Sequence, residues 1–315
     1  MTLLWGFLWG VAGMSVIAGG AILGVWWERK VAARIQMRYG PQQIGPFGSL
    51  QMIADVPKLL FKEDIVPESA DKPIFKYAPL FVFGPIAVSM VVIPFSAGWA
   101  PLNTSVGVLF FLAVPSIEVI AILLSAWASH NTLSTLGGIR ATAQMISYEV
   151  PRSLSVLAIV LLAGSLRPLD VVDAWRWWWL PLTFIAFLIY FIASIAEMNR
   201  GPFDIPEAES ELVAGYFADY SGMRWASFMM AEYGGMISAS LFGAALFLGA
   251  GWPFTGALGV VALIVKTIVL MTVVMWIKWT LPRMRQDHLM SFCWKVLTPL
   301  ALVQLIIVGV VLPWL

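Results

Sequence analysis

The sequence predicts an all-α integral membrane protein, a single membrane domain over 1–315 with eight transmembrane helices and an interfacial amphipathic helix in its first loop. Three observations point there. Mean hydropathy is +0.85; the 315 residues are 60% hydrophobic and 12% charged; and apolar runs long enough to cross a bilayer recur along the chain. Soluble domains have an apolar share nearer half.

A crossing of about 30 Å needs roughly 20 apolar residues at about 1.5 Å each. Runs of that kind fall near 3–27, 78–97, 107–128, 141–165, 180–198, 224–250, 257–278 and 293–314. The first has neither a basic start nor a small-residue cleavage site, so it is expected to be a retained span and not a signal peptide. Eight crossings put both termini on one side. The first, third, fifth and seventh connections with their flanks carry about fifteen of the nineteen Lys and Arg, and the alternate ones only Arg167 and Arg176. By the positive-inside rule the long polar loops are cytoplasmic and both termini outside.

Within the first loop, Leu50, Ile53, Pro57, Leu60 and Phe61 follow a helical period, with Gln51, Asp55, Lys58 and Lys62 as a polar stripe. That pattern predicts an amphipathic helix in the interface. Its plainest role is an anchor.

One cysteine, Cys293, excludes a disulfide within the chain, and two histidines, His130 and His288, leave no clustered His/Cys metal site. Four ionisable residues lie deep in predicted spans: Glu118, Glu149, Glu232 and Lys266. Each costs about 2.5–3.5 kcal/mol on insertion scales, so each needs a partner, water or a function. Static pairs such as Glu149 with Arg152, or Glu118 with Lys266 across helices, would answer for single residues. For the set, with Glu197 closing the fifth span and Arg140 opening the fourth, carboxylates outnumber bases. That surplus favours proton exchange.

The segment EMNRGPFDIPEAESELVAGY (197–216) adds Asp204, Glu207, Glu209 and Glu211 beside Arg200. Gly201-Pro202 and Ile205-Pro206 interrupt any helix, and Pro206 is placed to open a new one on which Glu207 and Glu211 share a face. A solvated acidic loop is the bland alternative.

The runs ERKVAARIQMRYGPQQIGPFGSLQMIADVPKLLFKEDIVP (28–67) and EMNRGPFDIPEAESELVAGYFADYSGM (197–223), with MAEY at 230–233, closely resemble the H subunit of NADH-quinone oxidoreductase, respiratory complex I. The likeness covers essentially the whole chain. The resemblance implies a subunit, inactive alone, that forms the membrane end of a quinone cavity and couples quinone reduction to proton translocation. It assigns Arg34, Arg38, Asp55, Lys58 and Phe61 to the quinone access path and floor, and Phe203, Asp204, Glu207, Glu209 and Glu211 to the acidic loop below the cavity. It assigns Glu118, Arg140, Glu149, Glu197 and Glu232 to a charged path into the membrane.

The resemblance also implies quinone as substrate, with no metal, flavin or iron–sulfur cluster held by this chain. Expected partners are membrane lipid, hydrophilic subunits carrying the terminal iron–sulfur cluster, small membrane subunits and antiporter-like subunits, with no nucleic acid. The expected location is a prokaryotic cell membrane or equivalent energy-converting membrane. Related subunits anchor membrane-bound hydrogenases and deazaflavin–phenazine oxidoreductases, so those remain alternatives. A stand-alone ion transporter is a further one, against which stands the lack of an internal repeat.

Overall fold

The computed structural model describes residues 2–206 and 209–314, with side chains described except those of 2–12, 209 and 210. Among the described residues every long element is a helix. In order they are α1 (Thr2–Ile35), α2 (Gln51–Phe61), α3 (Lys72–Ser89), α4 (Gly107–Ala113), α5 (Ser116–Ala128), α6 (Thr132–Ala163) and α7 (Pro168–Ala174). They continue with α8 (Trp179–Glu197), α9 (Glu209–Leu212), α10 (Gly222–Phe247), α11 (Gly256–Thr280), α12 (Gln286–Phe292) and α13 (Thr298–Val311). A π-helical stretch, Cys293–Leu297, joins α12 to α13.

Six helical segments among the described residues are long and apolar enough to cross a membrane: Lys72–Val92, Gly107–Ala128, Thr132–Ala163, Trp179–Glu197, Gly256–Thr280 and Gln286–Trp314. Each overlaps a predicted span. The remaining two predicted spans coincide with α1 and α10. The composition of α10 is peculiar because protein covers it, so its surface is built for close packing. Gly234 lies so near α1 that an added Cβ would come within 2.7 Å of Ile17, and at Gly243 it would come within 2.8 Å of Tyr190. Small residues let helix backbones approach where lipid supplies no hydrophobic drive for association.

Two helices organise the bundle. α6 packs against α5, α8 and α13, and α10 against α1, α3, α8 and α11. Between them lies the main core, including Phe111 stacked on Phe242 with centroids 3.7 Å apart and Tyr190 beside Phe247. α6 begins nine residues before its predicted start, capped by the Asn131 side chain, which accepts from the Leu133 N–H, and it ends on Gly164 at φ 66°. At about 1.5 Å per residue its 32 residues outrun the hydrocarbon layer. Hydropathy cannot register turns that emerge into water. α1 likewise continues through Glu28 to Ile35, a stretch that hydropathy assigns to the loop.

α5 and α6 meet at Gly138, where a Cβ would collide with that of Ala126. Gly138→Ala is expected to lower stability by about 1–3 kcal/mol through overpacking, read as a lower apparent unfolding temperature in detergent. An unchanged midpoint would show that the two helices separate at no cost.

Candidate functional site

The segment after α8 begins with Asn199 in the left-handed region at φ 51° and a cis Gly201–Pro202 peptide. Three contacts hold it. The Gln144 amide on α6 donates to the carbonyls of Ala196 (2.6 Å) and Phe203 (2.9 Å), and the Met284 N–H donates to the Pro202 carbonyl at 3.0 Å. Phe203 is thereby buried against Tyr148. The helix expected to open at Pro206 ends early: its described part, α9, covers Glu209–Leu212, and the chain then turns through Val213 at φ 65°. The turn brings Tyr216 and Phe217 onto Phe228 of α10, and Gly215 onto Gly137 of α6. Glu207 lies outside the described residues, as does the Glu209 side chain.

Arg200 follows and is wholly buried. Its Nη1 donates to Glu28 Oε2 at 2.6 Å, and its Nε lies 2.8 Å from Glu232 Oε1 in an ion-pair contact without hydrogen-bond alignment. The Lys278 ammonium lies 2.8 Å from Glu28 Oε1, the Tyr233 hydroxyl donates to Glu28 Oε2 at 2.7 Å, and the Arg200 guanidinium sits 4.2 Å from the Tyr233 ring centroid. Burial opposes the charge on Arg200, but Glu232, Glu28 and Tyr233 more than offset it, so the guanidinium stays protonated.

Beside this cluster runs a narrow cavity lined by Glu118 (α5), Arg152 (α6), Glu197 (α8), Asn199 and Glu232 (α10), with Val82, Ile86, Phe111 and Phe228 among its apolar walls. Arg152 pairs with Glu197, both buried. Glu118 is within electrostatic reach of both, and Glu149 within reach of Glu197. Glu149 accepts from the Ser116 hydroxyl. Three of the five residues expected on a charged path therefore share one cavity. Arg140 instead meets Glu211 of α9 at 2.8 Å.

The candidate static pairs do not form as Glu149–Arg152 or Glu118–Lys266. Arg152 is taken by Glu197. The Lys266 ammonium donates to the carbonyls of Leu248 (2.7 Å), Ala250 (2.8 Å) and Trp252 (2.9 Å), at the C-terminal end of α10, where carbonyls lack helical partners.

In the first loop, Asp55 lies 3.4 Å from Arg29 and 3.9 Å from Lys58, while Arg34, Arg38 and Phe61 are exposed. α2 buries Met52 and leaves Ile53, Leu60 and Phe61 outward, so the apolar stripe faces away from the bundle. Asp204 sits 3.0 Å from Arg283. Among the described residues, no three His, Cys, Asp or Glu side chains are grouped to hold a metal ion.

Fold and site together define a class: an all-helical integral membrane protein with an ionisable interior. The chain belongs to the NADH dehydrogenase family, whose model it matches over residues 10–309. It is 43% identical to the H subunit of the NADH-quinone oxidoreductase of Brevibacillus brevis, with 99% of this chain and 95% of that protein aligned. The corresponding protein of Geobacillus kaustophilus is 44% identical over 96% of this chain and 92% of its own length, and that of Chlorobium luteolum 42% over 91% and 83%.

Reading single residues in sequence missed Glu28 and Lys278, and left Arg200 without a role. The signal for Glu28 was an acid at the end of an apolar run, but its neighbours in the cluster are remote in sequence.

Burial lifts the Asp204 carboxyl above its ordinary 3.8, against the pull of Arg283 and Lys278. The folded protein thus holds this proton to higher pH than the unfolded chain, and the stability it contributes is lost as pH rises through the folded value. Asp204→Asn is expected to flatten that loss: its unfolding midpoint should gain on the parent's as pH rises above the ordinary 3.8 of an aspartate. Parallel midpoints would mean the Arg283 pair fully offsets burial.

Proposed function

We propose that this chain is the membrane subunit of a complex I-type NADH-quinone oxidoreductase, forming the membrane side of the quinone cavity and coupling quinone reduction to proton translocation. The observation that carries the reading is the shared cavity of Glu118, Glu197 and Glu232, whose lining includes Asn199 and Tyr216, residues on either side of the stretch that carries Asp204 and Glu211. The names of the relatives supply the chemistry, reduction of a quinone by NADH.

In this reading α1 and α10 complete eight spans, α2 lies in the interface, and the connections after α1 and α8 face the cytoplasm. Arg34, Arg38, Asp55, Lys58 and Phe61 border the quinone's access path. Phe203, Asp204, Glu207, Glu209 and Glu211 lie below its headgroup, with Phe203 acting as the packed base of the loop. The chain is not active alone: electrons come from an iron–sulfur cluster in a hydrophilic neighbour, and two electrons with two protons turn quinone to quinol.

Until protons arrive, the reduced headgroup carries negative charge, worth on the order of several kcal/mol to nearby groups in a poorly screened site. Asp204 is already biased toward protonation by burial and is suited to answer that change. From the loop, the change reaches the bundle through Arg140–Glu211 and through Arg200, whose guanidinium touches Glu232. Glu197, Glu118 and Glu149 then relay it laterally toward small membrane and antiporter-like subunits. The cavity has room for water, about 40 Å³ against the ~10–15 Å³ one water needs, between walls that carry Glu118, Glu197 and Glu232.

Glu197→Gln and Glu118→Gln in the assembled complex are each expected to abolish proton pumping and slow NADH:quinone turnover at least about tenfold. NADH oxidation by a hydrophilic artificial acceptor, which bypasses the quinone site, should be unchanged. Full pumping stoichiometry in both variants would remove these carboxylates from the path.

A further inference from the structure

The cluster around Arg200 is balanced in charge, two carboxylates against two cations, and its four charges come from four separate elements: Glu28 on α1, Arg200 after α8, Glu232 on α10 and Lys278 on α11. It is not symmetric. Glu232 lines the cavity, whereas Glu28 and Lys278 do not. Arg200 is hydrogen-bonded to Glu28 but meets Glu232 only through an unaligned contact. Glu28, unlike Glu232, has further partners on both oxygens, Lys278 on one and Tyr233 on the other.

We propose that Lys278 is a positioning residue for proton transfer: by neutralising Glu28 from outside the cavity, it frees the charge of Arg200 to hold Glu232 as a carboxylate. This rests on the reading that Glu232 belongs to the proton path. The physical reason is competition. A guanidinium shared by two carboxylates stabilises each less than one whose second carboxylate is already compensated, and at 2.6–2.8 Å within protein those interactions are weakly screened. Lys278 suits the task because its ammonium reaches Glu28 from the last turn of α11 while staying part-exposed, at 26%.

The other charged and titratable groups facing Glu232 are few. Tyr233 is its neighbour on α10, Asp204 is in the loop, and Tyr216, Glu118, Arg152 and Glu197 stand on or across the cavity; α3 offers only Val82 and Ile86 to that cavity. None of these replaces Lys278 at Glu28.

The test uses three variants of the assembled complex, followed by infrared spectroscopy and by the pH profile of quinone reduction. Lys278→Met leaves two carboxylates on one guanidinium. It is expected to produce a carboxylic-acid C=O band that disappears when Glu232→Gln is added, and to move the acid limb of the profile, where a required carboxylate becomes protonated, up by about one pH unit. Glu28→Gln/Lys278→Met restores the balance and should return both readouts to the parent's, and Glu28→Gln alone should move the limb the other way. A merely steric Lys278 predicts no rescue by the double variant, and that result, or a Lys278→Met complex without the new band, overturns the proposal. If Lys278→Met does not assemble, the direction of the Glu28→Gln shift decides it. The band reports on Glu232 whether or not it carries pumped protons, so normal pumping in Glu232→Gln would discredit the path and leave this assignment standing.

Discussion

A guanidinium sealed from water is the constraint around which the rest of this protein is arranged. Burying an unpaired charge of that size costs several kcal/mol even after relaxation, so Arg200 is tolerable only with its carboxylates in place. Those carboxylates arrive from α1 and α10, and Glu28 brings Lys278 from α11. Three long helices and the segment after α8 must therefore meet at one point. Once they do, the position of that segment is fixed, its Gln144 and Met284 hydrogen bonds form, and Asp204 comes to rest beside Arg283. Glu232 is drawn onto the cavity wall by the same act.

Hydrophobic runs made most of the bundle legible. A span must be apolar where lipid touches it, so α3, α5, α6, α8, α11 and α13 all fall within or across predicted runs. Errors cluster where that reason lapses. α1 and α6 continue as helix beyond the predicted runs, and the polar residues of those turns carry no hydropathy signal. α10 is sheathed by protein and uses glycine and serine for contact, so its composition understates its place in the core. The helix expected from Pro206 ends with α9 because docking Tyr216 and Phe217 against Phe228 requires a turn at Val213, a long-range demand invisible to local periodicity.

For the site, sequence singled out carboxylates within the apolar runs, though not Glu28, and left their companions unassigned. A Glu in an apolar run is conspicuous, because its cost has no local compensation. Which cation compensates it is a question of tertiary geometry: Arg152 turns from the nearby Glu149 to Glu197, 45 positions on, and Arg200 reaches back 172 positions to Glu28. Lys266 shows the same limit from the other side. Its solution needs no carboxylate, only three carbonyls at a helix end.

That solution has an electrostatic consequence for the whole interior. With Lys266 committed to α10's carbonyls and Lys278 to Glu28, the cations left to the cavity are Arg152 and the shared charge of Arg200. Glu118 and Glu197 thus stand beside one guanidinium, and Glu149, within reach of Glu197, has only a hydroxyl. With every carboxylate ionised such a group would carry uncompensated negative charge, and in the proposed function that cost is met by protons shared across the set and not held by one residue. A set that already shares protons can redistribute them when one member's surroundings change. In the proposed function, the charge imbalance inside the bundle is therefore what would let an event at the loop be felt at Glu118 and Glu149 without a large displacement of any helix.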